Sequence, residues 1–345
     1  MILVLNCGSQ SIKWKLFDLP VRSSQVKGGN KLKVVQQSRR DVLDSDNFEN
    51  ILMRELSRIG EEINLIGHRV VHGGMNFIKP LKITVENLQE LEKIGHLAPL
   101  HNPYNILGIK VCRKIFKNVE QVAVFDTEFF VSLPEYAFTY ALPESAGNFR
   151  KYGFQGISHK YVAKKAAEKL KKPLSELKII TCHLGGGASV SAIKNGKAID
   201  TSMGYTPLEG VVMMTRSGSI DPGIIFEIVK QFGVEGAEKL LNEDSGIKGI
   251  CGESDFLKVL EKVKQSDRRA KLAFDIFCYS IKKYIGAYFA ILGGCDVLIF
   301  TGSVGAGNPK TRNAICKDLN ILKKTKVLAI ETDEEIIIAE KIIKL

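Results

Sequence analysis

Leu3-Val4-Leu5-Asn6-Cys7-Gly8-Ser9-Gln10-Ser11-Ile12-Lys13-Trp14-Lys15-Leu16 and, much later, Lys178-Ile179-Ile180-Thr181-Cys182-His183-Leu184-Gly185-Gly186-Gly187-Ala188-Ser189-Val190-Ser191-Ala192-Ile193 are built to one plan. Each opens on an apolar run, breaks at a glycine-containing turn and resumes as a second strand. In the first, Ile12, Trp14 and Leu16 alternate with Lys13 and Lys15, the period of a half-buried strand. In the second, Asn195-Gly196 is a tight-hairpin signal and Lys197-Ala198-Ile199 reads as the return strand. Helical and strand-like segments then alternate: a helix over 85–93 and a strand over 122–125 in one half, helices over 224–232 and 269–292 and a strand over 297–301 in the other. The expected fold is therefore α/β and duplicated, two lobes with a cleft between them. Pro143, Gly147 and Asn148 mark a loop-rich boundary. That predicts lobes over 1–147 and 148–332, with a C-terminal helix within 333–345 packing back on the first. The polar stretch from Ser23 to Asp46 reads as surface strand and loop.

A chain of 345 residues can fill two lobes, each with its own core. Its 45% hydrophobic and 25% charged residues are those of a soluble globular protein, which sets disorder aside. The longest apolar stretch, Ile285 to Phe300, is interrupted by Gly293-Gly294 and Asp296, so it reads as helix end, turn and buried strand rather than a membrane span. The first residues lack the basic start of a secretory signal. Seven cysteines without a CxxC pair fit reduced thiols, and with them a cytoplasmic setting. The net charge of +11 is dispersed among short clusters such as Lys164-Lys165 and Lys323-Lys324, with no aromatic-interleaved basic stripe, so no nucleic-acid partner is expected.

Backbone amides of a tight turn between strands can converge on a phosphate. Gly8-Ser9 with Lys13 nearby is one such turn, although the same residues also suit a plain hairpin. The three glycines of Gly185-Gly186-Gly187 are a stronger case, because backbone without side chains can approach a ligand closely. Arg69 and Arg216 carry planar forks that suit carboxylate or phosphoryl groups, or an ordinary salt bridge. Asp126 follows the strand that ends at Phe125, where α/β folds place chemistry, but also where helix caps occur. Thr332 and Glu335 are spaced as a capping box, which leaves Glu334 for another task.

These residues sit within motifs that resemble the acetate kinases in order along essentially the whole chain. Asn6 to Lys13 resembles the first family signature and His183 to Ser189 the second. Between and after them lie Gly67-His68-Arg69-Val70-Val71-His72-Gly73-Gly74, His96-Leu97-Ala98-Pro99-Leu100-His101-Asn102-Pro103, Tyr152-Gly153-Phe154-Gln155-Gly156-Ile157-Ser158-His159, Asp200 to Gly210 and Thr215-Arg216-Ser217-Gly218. The resemblance implies the actin/Hsp70-type fold of two ribonuclease-H-like lobes. It also implies a reversible, magnesium-dependent transfer from ATP to acetate, giving ADP and acetyl phosphate, with propionate or butyrate as alternative acceptors. On that resemblance Asp126, Arg216 and Gln155 are the catalytic candidates. Arg69, Val71, Leu100, Phe154 and Pro207 would bind the short-chain carboxylate, the apolar members receiving its methyl group. Lys13, His183, Leu184, Gly185, Gly186, Gly187, Asp255, Phe256, Ser303, Val304, Gly305 and Gly307 would bind nucleotide. Asn6 and Glu334 would hold Mg2+. A homodimer is implied as well.

The sequence also departs from that family. Gln155 stands where the family carries a histidine; an amide can donate a hydrogen bond but never becomes cationic. Leu257 replaces an arginine, Ser303, Ala306 and Gly307 replace glycine, glutamate and asparagine, and Gln10 and Ile157 replace small hydroxyl residues. Slowed phosphoryl transfer is expected. The rival reading is a member that binds nucleotide without transferring phosphate.

Overall fold

The computed structural model describes residues 1–8, 11–18, 32–42 and 47–345. Ser9, Gln10 and most of the 23–46 stretch, apart from an exposed strand, lie outside the described residues. Contacts divide the chain into two compact units, 1–128 with 333–345, and 129–332.

The first unit is a six-stranded sheet in the order β3-β2-β1-β4-β6-β5. Its strands are β1 (Ile2–Gly8), β2 (Ser11–Phe17), β3 (Val34–Asp41), β4 (Leu65–Val70), β5 (Leu81–Lys82) and β6 (Glu120–Phe125). Antiparallel β1-β2-β3 is followed by β4 parallel to β1 and β6 parallel to β4. The alternation of β2 has its expected outcome: Ile12, Trp14 and Leu16 are buried with Leu3, Leu5 and Cys7. They pack under α1 (Phe48–Leu56) and α3 (Asn102–Ile115) through Phe48, Leu52, Val111 and Cys112. Helix α2 (Val85–Lys93) adds Leu88 and Leu91 beside Ile106, Val70 and Phe125.

The second unit repeats the plan in the order β11-β10-β7-β8-β9. Here β7 (Lys178–Leu184), β8 (Ala188–Lys194) and β9 (Lys197–Thr201) form the antiparallel meander. Strand β10 (Val297–Thr301) runs parallel to β7, and β11 (Lys326–Ala329) parallel to β10. The meander and the two parallel strands follow the same order in both units, so the duplication read from the two hairpins extends to the whole sheet. Asn195 and Gly196 both take positive φ, at 53° and 75°, as the two-residue turn requires. The helices are α4 (Glu135–Phe138), α5 (Gly156–Leu170), α6 (Pro222–Glu243), α7 (Gly246–Cys251), α8 (Phe256–Lys264), α9 (Arg268–Leu292), α10 (Gly302–Gly305) and α11 (Pro309–Cys316). Helix α5 covers one face through Val162, Ala163 and Ala166, against Ile179, Ile193, Val297 and Ile299. The apolar stretch from 285 to 300 resolves as expected into the end of α9, a left-handed Gly293 and β10.

The boundary expected at 147/148 lies instead between Glu128 and Phe129. Phe130 and Leu133 are buried with Ala198 of β9, and Thr139 bridges Arg150, so the Pro143–Asn148 turn falls inside the second unit. Turn composition marked a loop correctly, but packing of the preceding aromatics decided the division.

The last helix, α12 (Glu334–Ile342), belongs to the first unit and lies on β1 and β4. Gly67 permits this approach: a Cβ there would meet Ile338 at 2.7 Å and Ile342 at 2.9 Å. Lys341 also pairs with Glu128 at 2.6 Å. The expected Thr332–Glu335 capping box does not form. Asp333 caps the helix by accepting from the Ile336 amide, and the buried Thr332 hydroxyl has no partner among the described residues. Glu335 is turned inward, toward Lys15 and Asn6. No helix among the described residues is long and apolar enough to cross a membrane.

Candidate functional site

In the first unit, site residues gather at the C-terminal ends of the parallel strands. Asn6 lies near the end of β1, Arg69 near the end of β4, and Asp126 directly after β6. Asp126 is fully buried and forms a bidentate pair with Arg69, Nε to Oδ1 at 3.2 Å and Nη2 to Oδ2 at 2.6 Å. Arg69 Nη1 reaches Glu334 at 3.3 Å and donates to Asn6 Oδ1 at 3.2 Å. Burial alone would lower the guanidinium's pKa, but the Asp126 and Glu334 carboxylates outweigh it and hold the value above the ordinary one.

Asn6 Nδ2 donates to Glu334 Oε2 and Glu335 Oε1, both at 3.1 Å. Lys15 pairs with Asp333 at 2.7 Å and Glu335 at 3.6 Å. Lys13 stands opposite Asn6 in the β1–β2 register. Helix α3 fixes the loop after β4: Asn105 accepts from the Val71 amide and donates to the Cys7 carbonyl, while Asn102 accepts from the His72 amide. Val71 is buried there, and Leu100, just ahead of α3, is half-buried. The oxygens of Asn6 and Glu334 fit a cation that takes one or two hard protein ligands and fills the rest of its shell with phosphate and water.

In the second unit, two glycine turns leave neighbouring parallel strands. His183 pairs in register with Thr301, so the 184–187 turn after β7 and α10 after β10 emerge side by side. Ser303 Oγ is 3.7 Å from where a Gly185 Cβ would stand. Gly302 has φ +79°, and a Cβ there would lie 2.4 Å from the Leu184 carbonyl oxygen, so only glycine closes this turn. Arg312 ties down its far end by donating to the Gly305 and Ala306 carbonyls. Val304 and Leu184 are buried, while Gly186 and Gly307 are exposed.

Gln155 Nε2 and Arg216 Nη1 each lie 3.5 Å from the position of a Gly187 Cβ. Two donors therefore converge beside the triple-glycine turn. Arg216 is only 9% exposed, and burial lowers its pKa to about 10, leaving it charged at neutral pH. Gln155 caps the start of α5 in the left-handed region, φ 58° and ψ 23°. Its Oε1 accepts from Ser189 Oγ at 2.5 Å, and Ser189 meets His159 Nε2 at 2.7 Å. His183 Nδ1 is 2.7 Å from Ser158 Oγ. Phe154 and Pro207 are buried.

Asp255 and Phe256 have other visible employment. Asp255 caps α8 through the Leu257 and Lys258 amides, and Phe256 is buried 5.6 Å from the Phe277 ring centroid. Among the described residues no hydrogen bond joins either to the 184–187 turn. Sequence reading also missed Lys15, Glu335, Ser189 and Arg312. The alternation that places Lys13 and Lys15 on one face of β2 was an available signal for Lys15; nothing local signalled the other three.

The family model described as the acetokinase family matches residues 1–342. The acetate kinase of Carboxydothermus hydrogenoformans is 43% identical over 100% of this chain and 98% of its own. Among solved structures, Porphyromonas gingivalis acetate kinase has a TM-score of 0.83 at 36% identity, covering 99% of this chain and 98% of that one. A propionate kinase from Francisella tularensis has a TM-score of 0.84 at 37% identity, covering 99% of this chain and 98% of that one. With these neighbours, the mixed α/β architecture of two sheets agrees with the actin/Hsp70-type fold expected from the sequence.

Proposed function

The chain belongs to the acetokinase family, and from that premise we propose that it transfers the terminal phosphoryl group of ATP to acetate, forming ADP and acetyl phosphate reversibly. The observation that carries this reading is the convergence of Arg216 Nη1 and Gln155 Nε2 beside Gly187. Two donors aimed at one point next to side-chain-free backbone suit the oxygens of a phosphoryl group in transfer, where positioning and electrostatics do most of the work.

In this reading Arg216 neutralises the transferring group and Gln155 donates to it. Arg69 binds the acceptor carboxylate, and Asp126, through its bidentate pair, fixes the plane of that guanidinium and aligns the attack. Val71, Leu100, Phe154 and Pro207 keep the acyl-end role that the family resemblance implies for each of them. Lys13, His183, Leu184, Gly185, Gly186 and Gly187, with Ser303, Val304, Gly305 and Gly307, are assigned to the nucleotide. The employment of Asp255 and Phe256 in α8 and its core makes their share in nucleotide binding indirect. Asn6 and Glu334 would hold Mg2+, which when bound offsets the negative charge of the ATP phosphates.

Trapping acetyl phosphate with hydroxylamine, in the presence of acetate, ATP and magnesium, tests the reading. Absence of the hydroxamate at high enzyme concentration would sink it and favour a nucleotide-binding protein without transfer. Propionate is the second acceptor, a reading favoured by the similarity to the Francisella propionate kinase. One methylene in an apolar pocket is worth only about 1–3 kcal/mol, so turnover on acids of increasing length separates the two.

The seven free cysteines support a cytoplasmic setting. A homodimer is the assembly proposed, and α6 offers exposed apolar side chains that a second copy could cover: Ile224, Phe226, Phe232 and Val234 are 51%, 66%, 51% and 64% exposed. Sedimentation is expected to give a dimer for the wild type and a monomer for Phe226→Glu.

A further inference from the structure

A buried chain of hydrogen bonds ends on the one site residue that departs from the family's histidine. Ser189 Oγ donates to Gln155 Oε1 at 2.5 Å. A hydroxyl has a single proton, so the 2.7 Å contact between Ser189 Oγ and His159 Nε2 must be donated by the imidazole. That fixes the tautomer. In the neutral ring Nδ1 is then the acceptor of the 2.7 Å contact with Thr181 Oγ1, the 3.4 Å approach of that hydroxyl to the Ser191 carbonyl being the longer alternative.

The ring is fully buried. Burial first, and the neighbouring His183 second, hold its pKa well below the ordinary value, so it stays neutral and keeps both roles. Thr181, His159 and Ser189 thus form a relay of one polarity, pointing at the oxygen of the Gln155 amide. The opposite end of that amide, Nε2, is left beside Gly187, where Arg216 Nη1 also arrives. The backbone supports the same reading. Gln155 is a non-glycine residue in left-handed conformation at the mouth of α5, and such a residue persists where its surroundings hold it.

We propose that Ser189, oriented by neutral His159, is a positioning residue: it holds the Gln155 amide so that its NH2 end, and not its oxygen, faces the phosphoryl site. A flipped amide would present an acceptor to an anion and would require every proton in the relay to reverse. The amide therefore serves as a donor whose strength is insensitive to pH, provided that its rotation is blocked. Ser189 and His159 supply that block. The inference rests on the phosphoryl-transfer reading given above.

A double-mutant cycle on kcat tests it, with both substrates saturating and melting temperatures measured alongside. Ser189→Ala is expected to lower kcat about 10-fold, with KM for ATP and acetate within about twofold, because an unrestrained amide spends part of its time flipped. In the Gln155→Ala background, Ser189→Ala is expected to change kcat by less than about twofold, since the group it orients is gone. Ser189→Thr, which keeps the hydroxyl, is expected to recover most of the loss. Additive effects of the two alanine substitutions overturn the inference, as does a fall in kcat for Ser189→Ala matched by loss of folded protein and unrelieved by threonine. Absence of acetyl phosphate formation in the wild type overturns the functional reading and this inference with it. Wild-type activity with an additive cycle overturns the inference alone.

Discussion

At position 155 an amide stands where a titratable ring would bring more charge. An imidazolium in that place would offset the charge on a transferring phosphoryl group, and a carboxamide can only direct a dipole at it. Gln155→His is therefore expected to raise kcat by about 10-fold or more. It should also introduce a pH limb absent from the wild type, with kcat falling as pH rises through the new ring's pKa, about 6.5 if unperturbed. A pH–rate series on both proteins checks both points. Asp126→Asn retains shape but loses the charge that steadies Arg69, and a fall in kcat of about 100-fold is expected with the fold intact. Asp126→Ala should in addition destabilise the chain by about 3 kcal/mol in urea unfolding, because a largely buried guanidinium loses its bidentate partner. The position of Asp126 was legible from sequence, since the apolar run before it ends at Phe125 and a strand tip follows. The partner of Gln155 was not. Ser189 is 34 positions away, and only the folded sheet brings its hydroxyl to the amide.

Helix α12 illustrates where local reading fails and why. Thr332 and Glu335 have the spacing of a capping box, and Asp333 is an equally competent cap one residue on. Local chemistry does not separate them. Tertiary contacts do: Asn6 holds Glu335 inward, while Asp333 caps through Oδ1 with its Oδ2 paired to Lys15. The elements that were read well, β2, α2, the Asn195-Gly196 hairpin and β10, are those whose period or turn chemistry has no close competitor. Contact with the sheet governs α12 from its other side too. Gly67→Ala would press a methyl group into Ile338 and Ile342, and overpacking of this kind costs about 1–3 kcal/mol. The expected result is a lower urea midpoint together with weaker binding of Mn2+, measured by electron paramagnetic resonance as a probe of the Asn6–Glu334 pair. An unchanged midpoint would mean that the helix yields without cost.

Over the whole molecule, the two sheets share one strand order but are not equally self-sufficient, and each buries a neutral histidine. His68, hydrogen-bonded to Gln121 at 2.8 Å, has its pKa lowered to about 4 by burial, partly countered by that bond. His159 is shifted in the same direction. A histidine with a lowered folded pKa binds fewer protons in the fold than in the unfolded chain. Its contribution is complete above about pH 6.5 and is lost as pH falls below that, toward about 4 for His68, at up to about 1.4 kcal/mol per pH unit for each ring. Urea midpoints measured from pH 7.5 down to 5 should fall accordingly, and His68→Gln, which can still bond to Gln121 but cannot titrate, should flatten part of the slope.

The placement of α12 bears on how the molecule is made. Asn6 and Glu334 are hydrogen-bonded across 328 positions of sequence. A ribosome adding about 5–20 residues per second needs roughly 15 to 65 seconds to travel between them. From the completion of β6 at Phe125 until Glu334 is added, roughly 10 to 40 seconds at that rate, the strands of the first sheet lack the α12 side chains that meet Gly67, and Arg69 lacks its Glu334 partner. Any product broken off between Thr201 and Thr332 would keep the glycine turns of both hairpins, yet would never assemble the acidic side of its first site.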